Sequence, residues 1–401
     1  MIVRPVRAAA LTVVALTVSP GPADAQTNWL SGYLQTVPLF SSSTILADAA
    51  VSNFSRLRLT VEPSVGPFDL EVAYEHAATF RQSAGEASLG LGGLSGVPGG
   101  GEWFDLQRTV TGDPTERVHW LHRFDRLNVS WSPSSTVELS VGRQAVSWGT
   151  TLFLTPADPF VPFSPTDPFR VFRGGVDAAR LRMYPGPLSE IDVVFRPTRT
   201  LAGEEVTLLA RGLTTVLNWE LSGWGGTLYG DLAGAVGLAG GLGAWAVRAE
   251  GVVRDYDGTV VGRGTLGIDR NWVVSGRNLG IVMEYQRDGR AAATPDRFEP
   301  ILESDEFARG EYQVFGRDEM AMTLTWEAHP LLSLSGLALW NLNDRSVIIA
   351  PGFSYSASNN TTFAGGVYVG RGATDAPEDQ LLASEYGLVG VTGYLSLTWF
   401  F

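Results

Sequence analysis

Apolar and polar positions alternate along most of this chain with a period of two residues. Val137, Leu139 and Val141 interleave with Glu138, Ser140 and Gly142, and Leu127, Val129 and Trp131 with Arg126, Asn128 and Ser130. The same rhythm runs through Leu70–Tyr74, Ile191–Phe195, Trp245–Ala249, Ile281–Tyr285 and Met322–Trp326. In a strand successive side chains point to opposite faces, so each stretch predicts one apolar and one polar face. At the C-terminus Leu395, Leu397, Trp399 and Phe401 share a wholly apolar face.

Alternation alone fits a soluble sandwich or a membrane barrel equally well. Three observations favour the barrel. The first is the N-terminus. Arg4 and Arg7 precede the apolar run Ala8–Val18; Pro20-Gly21-Pro22 breaks it, and Ala23-Asp24-Ala25 offers a cleavage site. This reads as a signal peptide over 1–25, with the barrel occupying 26–401. The second is hydropathy. Past that leader no apolar run is long enough to span a bilayer as a helix, yet mean hydropathy is +0.06. The third is in the strands: about ten residues suits a tilted membrane strand, and the one ending on Phe401 resembles the terminal strand of outer-membrane proteins, which the barrel-assembly machinery recognises.

The fold predicted is therefore an all-β, transmembrane antiparallel β-barrel. Turn-forming clusters at 133–135, 185–187, 274–276, 329–330 and 358–360 mark short connections on one side. Long connectors near 78–119, 146–174, 198–212, 288–317 and 372–385 mark the other. Both termini on the short-turn side require an even strand number. Leu30–Val37 supplies the first strand, and the count is about 16 if 213–234 is one strand and not a hairpin.

Composition excludes some functions. With 42 acidic and 29 basic residues the net charge is −13, so nucleic acid is not an expected partner. There is no cysteine. The four histidines form no ligand set; His119 and His122, three apart, fall on opposite strand faces. No catalytic or cofactor motif stands out, so neither an enzyme nor a cofactor is expected. Acidic clusters at Glu299–Glu311 and Asp375–Glu385 read as wet loops, with cation-bridged lipopolysaccharide as the sharper alternative.

The inward positions carry the candidate chemistry: Arg56, Arg58, Arg126, Arg180, Arg182, Arg248 and Glu250, along with Asp69, Glu71, Glu75, Glu138, Asp192, Arg196, Asp269, Glu284 and Glu327. They either pair across strands or set solute preference in a pore. A second feature is Gly142-Arg143-Gln144…Trp148-Gly149, followed by five prolines between Pro156 and Pro168 and by Phe160, Phe163 and Phe169. Proline gives no N–H to a ladder, so this segment leaves the sheet. Folded inward, it forms a constriction with Arg143, Gln144, Trp148, Asp158, Asp167, Arg170 and Arg173 near its mouth; folded outward, it forms a lid. This motif and loop resemble the alginate-export and porin-like outer-membrane barrels, and the resemblance implies a channel. The expected function is passive diffusion of small hydrophilic or anionic solutes, with outer-membrane lipid as the surroundings. A barrel with a plugged lumen in a structural or adhesion role is the alternative. The oligomeric state is left open.

Overall fold

The computed structural model describes residues 30–44, 48–82, 101–113, 116–160, 172–200, 203–256, 258–377, 380 and 382–401. The leader at 1–25 lies outside them. No helix among them is long and apolar enough to cross a membrane.

Eighteen strands form one antiparallel sheet. They are β1 Leu30–Ser41, β2 Ala50–Val61, β3 Phe68–Arg81, β4 Val118–Ser134, β5 Val137–Gln144 and β6 Val176–Gly186. Next come β7 Ser189–Thr200, β8 Gly203–Val216, β9 Trp219–Leu228, β10 Asp231–Leu242, β11 Trp245–Tyr256 and β12 Thr259–Val274. The last are β13 Arg277–Asp288, β14 Asp318–His329, β15 Leu332–Asn341, β16 Val347–Ser358, β17 Thr361–Arg371 and β18 Val391–Phe400. Each pairs with its chain neighbour, and β1 pairs with β18 from Tyr33 opposite Phe400 to Ser41 opposite Thr392. Closure leaves no unpaired edge. Two short segments, Ser64–Val65 and Gln107–Thr111, add pairs to β3 and β4 at the rims.

The outer face carries the apolar set. Leu34, Leu127, Val129, Val141, Phe195, Leu266, Met322, Leu397 and Trp399 are all exposed. The inner face carries Arg56, Arg58, Glu75, Arg126, Asp192, Glu250 and Glu284, all buried. This inversion of the soluble pattern suits a wall with hydrocarbon outside and polar contents within.

The count is 18 and not about 16, and the difference has a local cause. The segment 198–212, expected as a connector, contains most of β8, with Glu205 on its inner face and Leu208 on its outer one. The segment 213–234 is neither one strand nor one hairpin; it holds the end of β8, all of β9 and the start of β10. The turns between them run through left-handed pairs, Leu217 (φ 52°) with Asn218 (φ 67°) and Tyr229 (φ 52°) with Gly230 (φ 88°). Leucine and tyrosine seldom occupy that region, so no turn signal shows there. The β9–β10 and β11–β12 connections are also tight although they lie on the long-loop side. The even number and the first strand are as expected, β1 running on to Ser41.

Candidate functional site

The lumen is crossed by the segment after β5. Gly142 has φ +122°, and a Cβ there would collide with the Leu127 carbonyl. Glycine alone tolerates both conditions, and the kink it allows ends the strand's regular alternation. Residues 145–160 then run inside the barrel. Val146, Trp148, Ala157 and Phe160 pack on Val176, Val194, Leu209, Trp224, Tyr229 and Val252 of the β6–β11 wall. Leu154 packs with Val37, Phe54, Leu339, Ile348 and Tyr368 of the opposite wall. Burying Phe160 alone contributes about 1.5–3 kcal/mol.

Two inward carboxylates hold this segment by its backbone. Glu250 accepts the N–H groups of Thr150, Thr151 (2.7 Å) and Ala157 (2.9 Å). Glu284 accepts those of Leu152 (2.6 Å), Phe153 (3.0 Å) and Leu154 (2.8 Å). Gln313 takes the Thr155 N–H at 2.7 Å and donates to the Phe153 carbonyl at 2.8 Å. The Trp148 indole donates to Asp192 (2.7 Å), and Trp224 donates to the Ala157 carbonyl (2.8 Å). A proline-rich loop cannot satisfy its own N–H groups with a ladder, and charged acceptors on the wall do so instead.

The other sequence-predicted residues divide into groups. Arg58, Glu75, Arg123, Asp125 and Arg126 form one buried network, with Arg58 at 2.7 Å from both Glu75 and Asp125, and Arg123 at 2.6 Å from Glu75. A bulge between Ala73 and Tyr74 places both Asp125 and Arg126 inward. Arg56 lies over the Phe54 ring at 4.8 Å, and Phe172 lies over Arg58 at 4.6 Å. Arg180 pairs with Asp192 at 2.6 Å, Arg182 with Glu138, Arg248 with Asp269 and Arg173 with Asp158. Gln144 bridges Ser140 and the Ala178 carbonyl within the wall.

Arg143 was expected near the mouth of the constriction. It is instead buried in the wall, bonded to Asp177 (2.8 Å), Glu102 (2.9 Å) and the Phe104 carbonyl (2.6 Å). The kink at Gly142 and the covering residues 101–106 account for this. Asp167, Arg170, Phe163 and Phe169 lie outside the described residues. His119 is buried and His122 rests against the Tyr74 ring, on opposite faces as expected.

Sequence reasoning missed several contributors, Tyr229, Arg254 and Arg309 among them. With the expected inward Arg196, Arg254 and Arg309 surround the Tyr229 ring, at 5.7, 5.6 and 4.8 Å. Arg254 bonds Asp231 and Glu311, the latter at 2.8 Å, so Glu311 is an inner-wall partner and not a wet loop residue. Arg290 stacks on Tyr256 and Tyr312, and burial pushes the Tyr312 phenol up to about 12. Glu385, also expected wet, is buried. It accepts the Phe315 (2.8 Å) and Gly316 (3.0 Å) N–H groups and the Asn341 amide (2.9 Å). Between the crossing segment and residues 311–314 remains a small cleft of about 20 Å³. Thr155, Asp158, Arg263, Gln286, Asp288 and Gln313 are among its lining residues. No group of three His, Cys, Asp or Glu among the described residues is placed to hold a metal.

The fold is shared with solved bacterial outer-membrane proteins. The outer membrane protein opdK from Pseudomonas aeruginosa matches 93% of this chain and 98% of its own at 8% identity, with a TM-score of 0.53. OccAB1 from Acinetobacter baumannii matches 93% and 95% at 10% identity and 0.53. A BenF-like porin from Pseudomonas fluorescens Pf-5 matches 93% and 98% at 10% identity and 0.53. No family model matches the chain, and no curated protein is similar to it. At these identities the likeness is one of fold: a closed, porin-type β-barrel.

Proposed function

We propose that the protein is a porin-like channel of the bacterial outer membrane through which small hydrophilic solutes, anionic ones foremost, diffuse passively. The observation that carries this reading is the segment 145–160, pinned across the lumen by Glu250 and Glu284. Held by six backbone amides, it narrows the lumen as a channel constriction does. Its fold neighbours include a BenF-like porin, and one solved structure is of OpdK with vanillate, a small aromatic carboxylate. The inner wall carries arginines among charges of both signs, and rings of fixed charge set solute preference at close quarters.

Liposome swelling tests the proposal. Vesicles containing refolded protein are expected to swell in small sugars, and faster in vanillate or a monomeric uronate than in neutral solutes of equal size. Vesicles that do not swell in any of them refute the channel, and equal rates for anions and neutral solutes refute the charge preference.

A further inference from the structure

Charges on the outer wall of a membrane barrel are expensive unless they lie near an interface or find a partner. At the long-loop end two outward-facing arginines have carboxylates: Arg287 meets Asp318 at 2.7 Å and Arg199 meets Glu204 at 2.8 Å. Arg270 differs. It lies on the outer face of β12, between Ile268 and Trp272 in the alternation, while its neighbour Asp269 points inward to Arg248. Its guanidinium is held between two indoles, 5.3 Å from the Trp245 ring centre and 4.9 Å from that of Trp272. The indoles themselves meet edge to face at 5.8 Å. No carboxylate pairs with Arg270 among the described residues, and its Nε is buried without a hydrogen-bond partner. Arg277, opposite Val274, adds a second cation on the same face nearer the turn. This end of β12 is the tight-turn side, which also carries both ends of the described barrel, at Leu30 and Phe401.

We propose that Arg270, Trp245 and Trp272 form a binding site for the phosphate of a phospholipid headgroup in the leaflet on the tight-turn side. The indoles fix the guanidinium by cation–π contact and leave its two Nη groups, unlike the buried Nε, open to a ligand. A planar guanidinium engages phosphate oxygens through two parallel hydrogen bonds. Tryptophans at headgroup depth offer the acyl chains an apolar surface and the headgroup an N–H donor. The ligand comes from outside the barrel wall, where no carboxylate among the described residues reaches Arg270. The site rests on the barrel being membrane-embedded, and not on its lumen being open.

Native mass spectrometry of the refolded, delipidated barrel, titrated with phosphatidylglycerol, tests this. The wild type is expected to retain one more phospholipid than R270Q, with about tenfold tighter binding, the scale of one charge-assisted contact. R270K, which keeps the charge but not the fork, falls between them. Equal stoichiometry and affinity in the wild type and R270Q overturn the site. Displacement of the lipid by inorganic phosphate overturns the assignment to a membrane lipid. If R270Q refolds poorly, the wild type is titrated with diacylglycerol, which lacks the phosphate; retention equal to that of phosphatidylglycerol overturns the proposal. Conductance of R270Q is expected to match the wild type, so this test fails separately from the channel reading.

Discussion

Replacing Glu284 by Gln keeps the shape of the side chain but removes its charge and half its acceptor capacity. In the native wall one Glu284 oxygen receives the Leu152 N–H and the other receives those of Phe153 and Leu154. In E284Q the amide NH2 must face either one or two of these donors. Each charge-assisted bond lost costs about 1.5–3 kcal/mol, so the variant weakens docking of the crossing segment by about 2–5 kcal/mol. Even the low end shifts the docking equilibrium about 30-fold. Glu250 still holds Thr150, Thr151 and Ala157, so E284Q is expected to fluctuate and E250Q/E284Q to undock. The assay is single-channel recording in planar bilayers, with gel mobility of the folded barrel as the control. Noisier, larger steps are expected for E284Q, and a still larger mean conductance for the double variant. Two folded variants with the conductance and noise of the wild type refute the idea that these carboxylates hold a constriction.

Three further outcomes follow from the same structure. Glu75→Gln removes the carboxylate shared by Arg58 and Arg123 and is expected to cost about 3–5 kcal/mol, read from denaturant unfolding in detergent; an unchanged midpoint contradicts the network's role. Leu217→Gly is expected to stabilise by about 1 kcal/mol, because Leu217 is 90% exposed and holds φ 52°, so relief of strain loses no packing; unfolding curves that superimpose contradict it. Burial pushes the Glu385 carboxyl up, Asp344 adding to the shift and the bonds from Glu319, Phe315 and Asn341 opposing it. Docking of 382–390 is therefore full below the ordinary carboxylate range and weakens as pH rises through the raised value; protease sensitivity there should grow with pH, and E385Q should flatten that dependence.

The wall was legible in the sequence because lipid outside and polar contents inside impose a strict period of two. Leu127–Trp131 and Leu395–Phe401 show it in full. It was hidden in β8–β10, where Gly, Thr and Ala weaken the contrast between faces and where Leu217 and Tyr229 make turns without turn residues. The proline-rich loop announced that it leaves the sheet, because a missing N–H is a property of the residue itself. What receives that loop was not legible. Glu250 and Glu284 read as two more wall charges, since their partners are backbone amides about 100 and 130 positions away. Arg143 read as a mouth residue, because only the conformation of Gly142 and the cover of 101–106 turn it into the wall.

The proposed channel needs the loop held inside this barrel to leave a narrow path beside it, and single-channel conductance of the refolded wild-type protein in planar bilayers reads that path. Discrete steps are predicted, smaller than those of the double variant E250Q/E284Q. An absence of steps, or wild-type steps as large as those of that variant, contradicts the account.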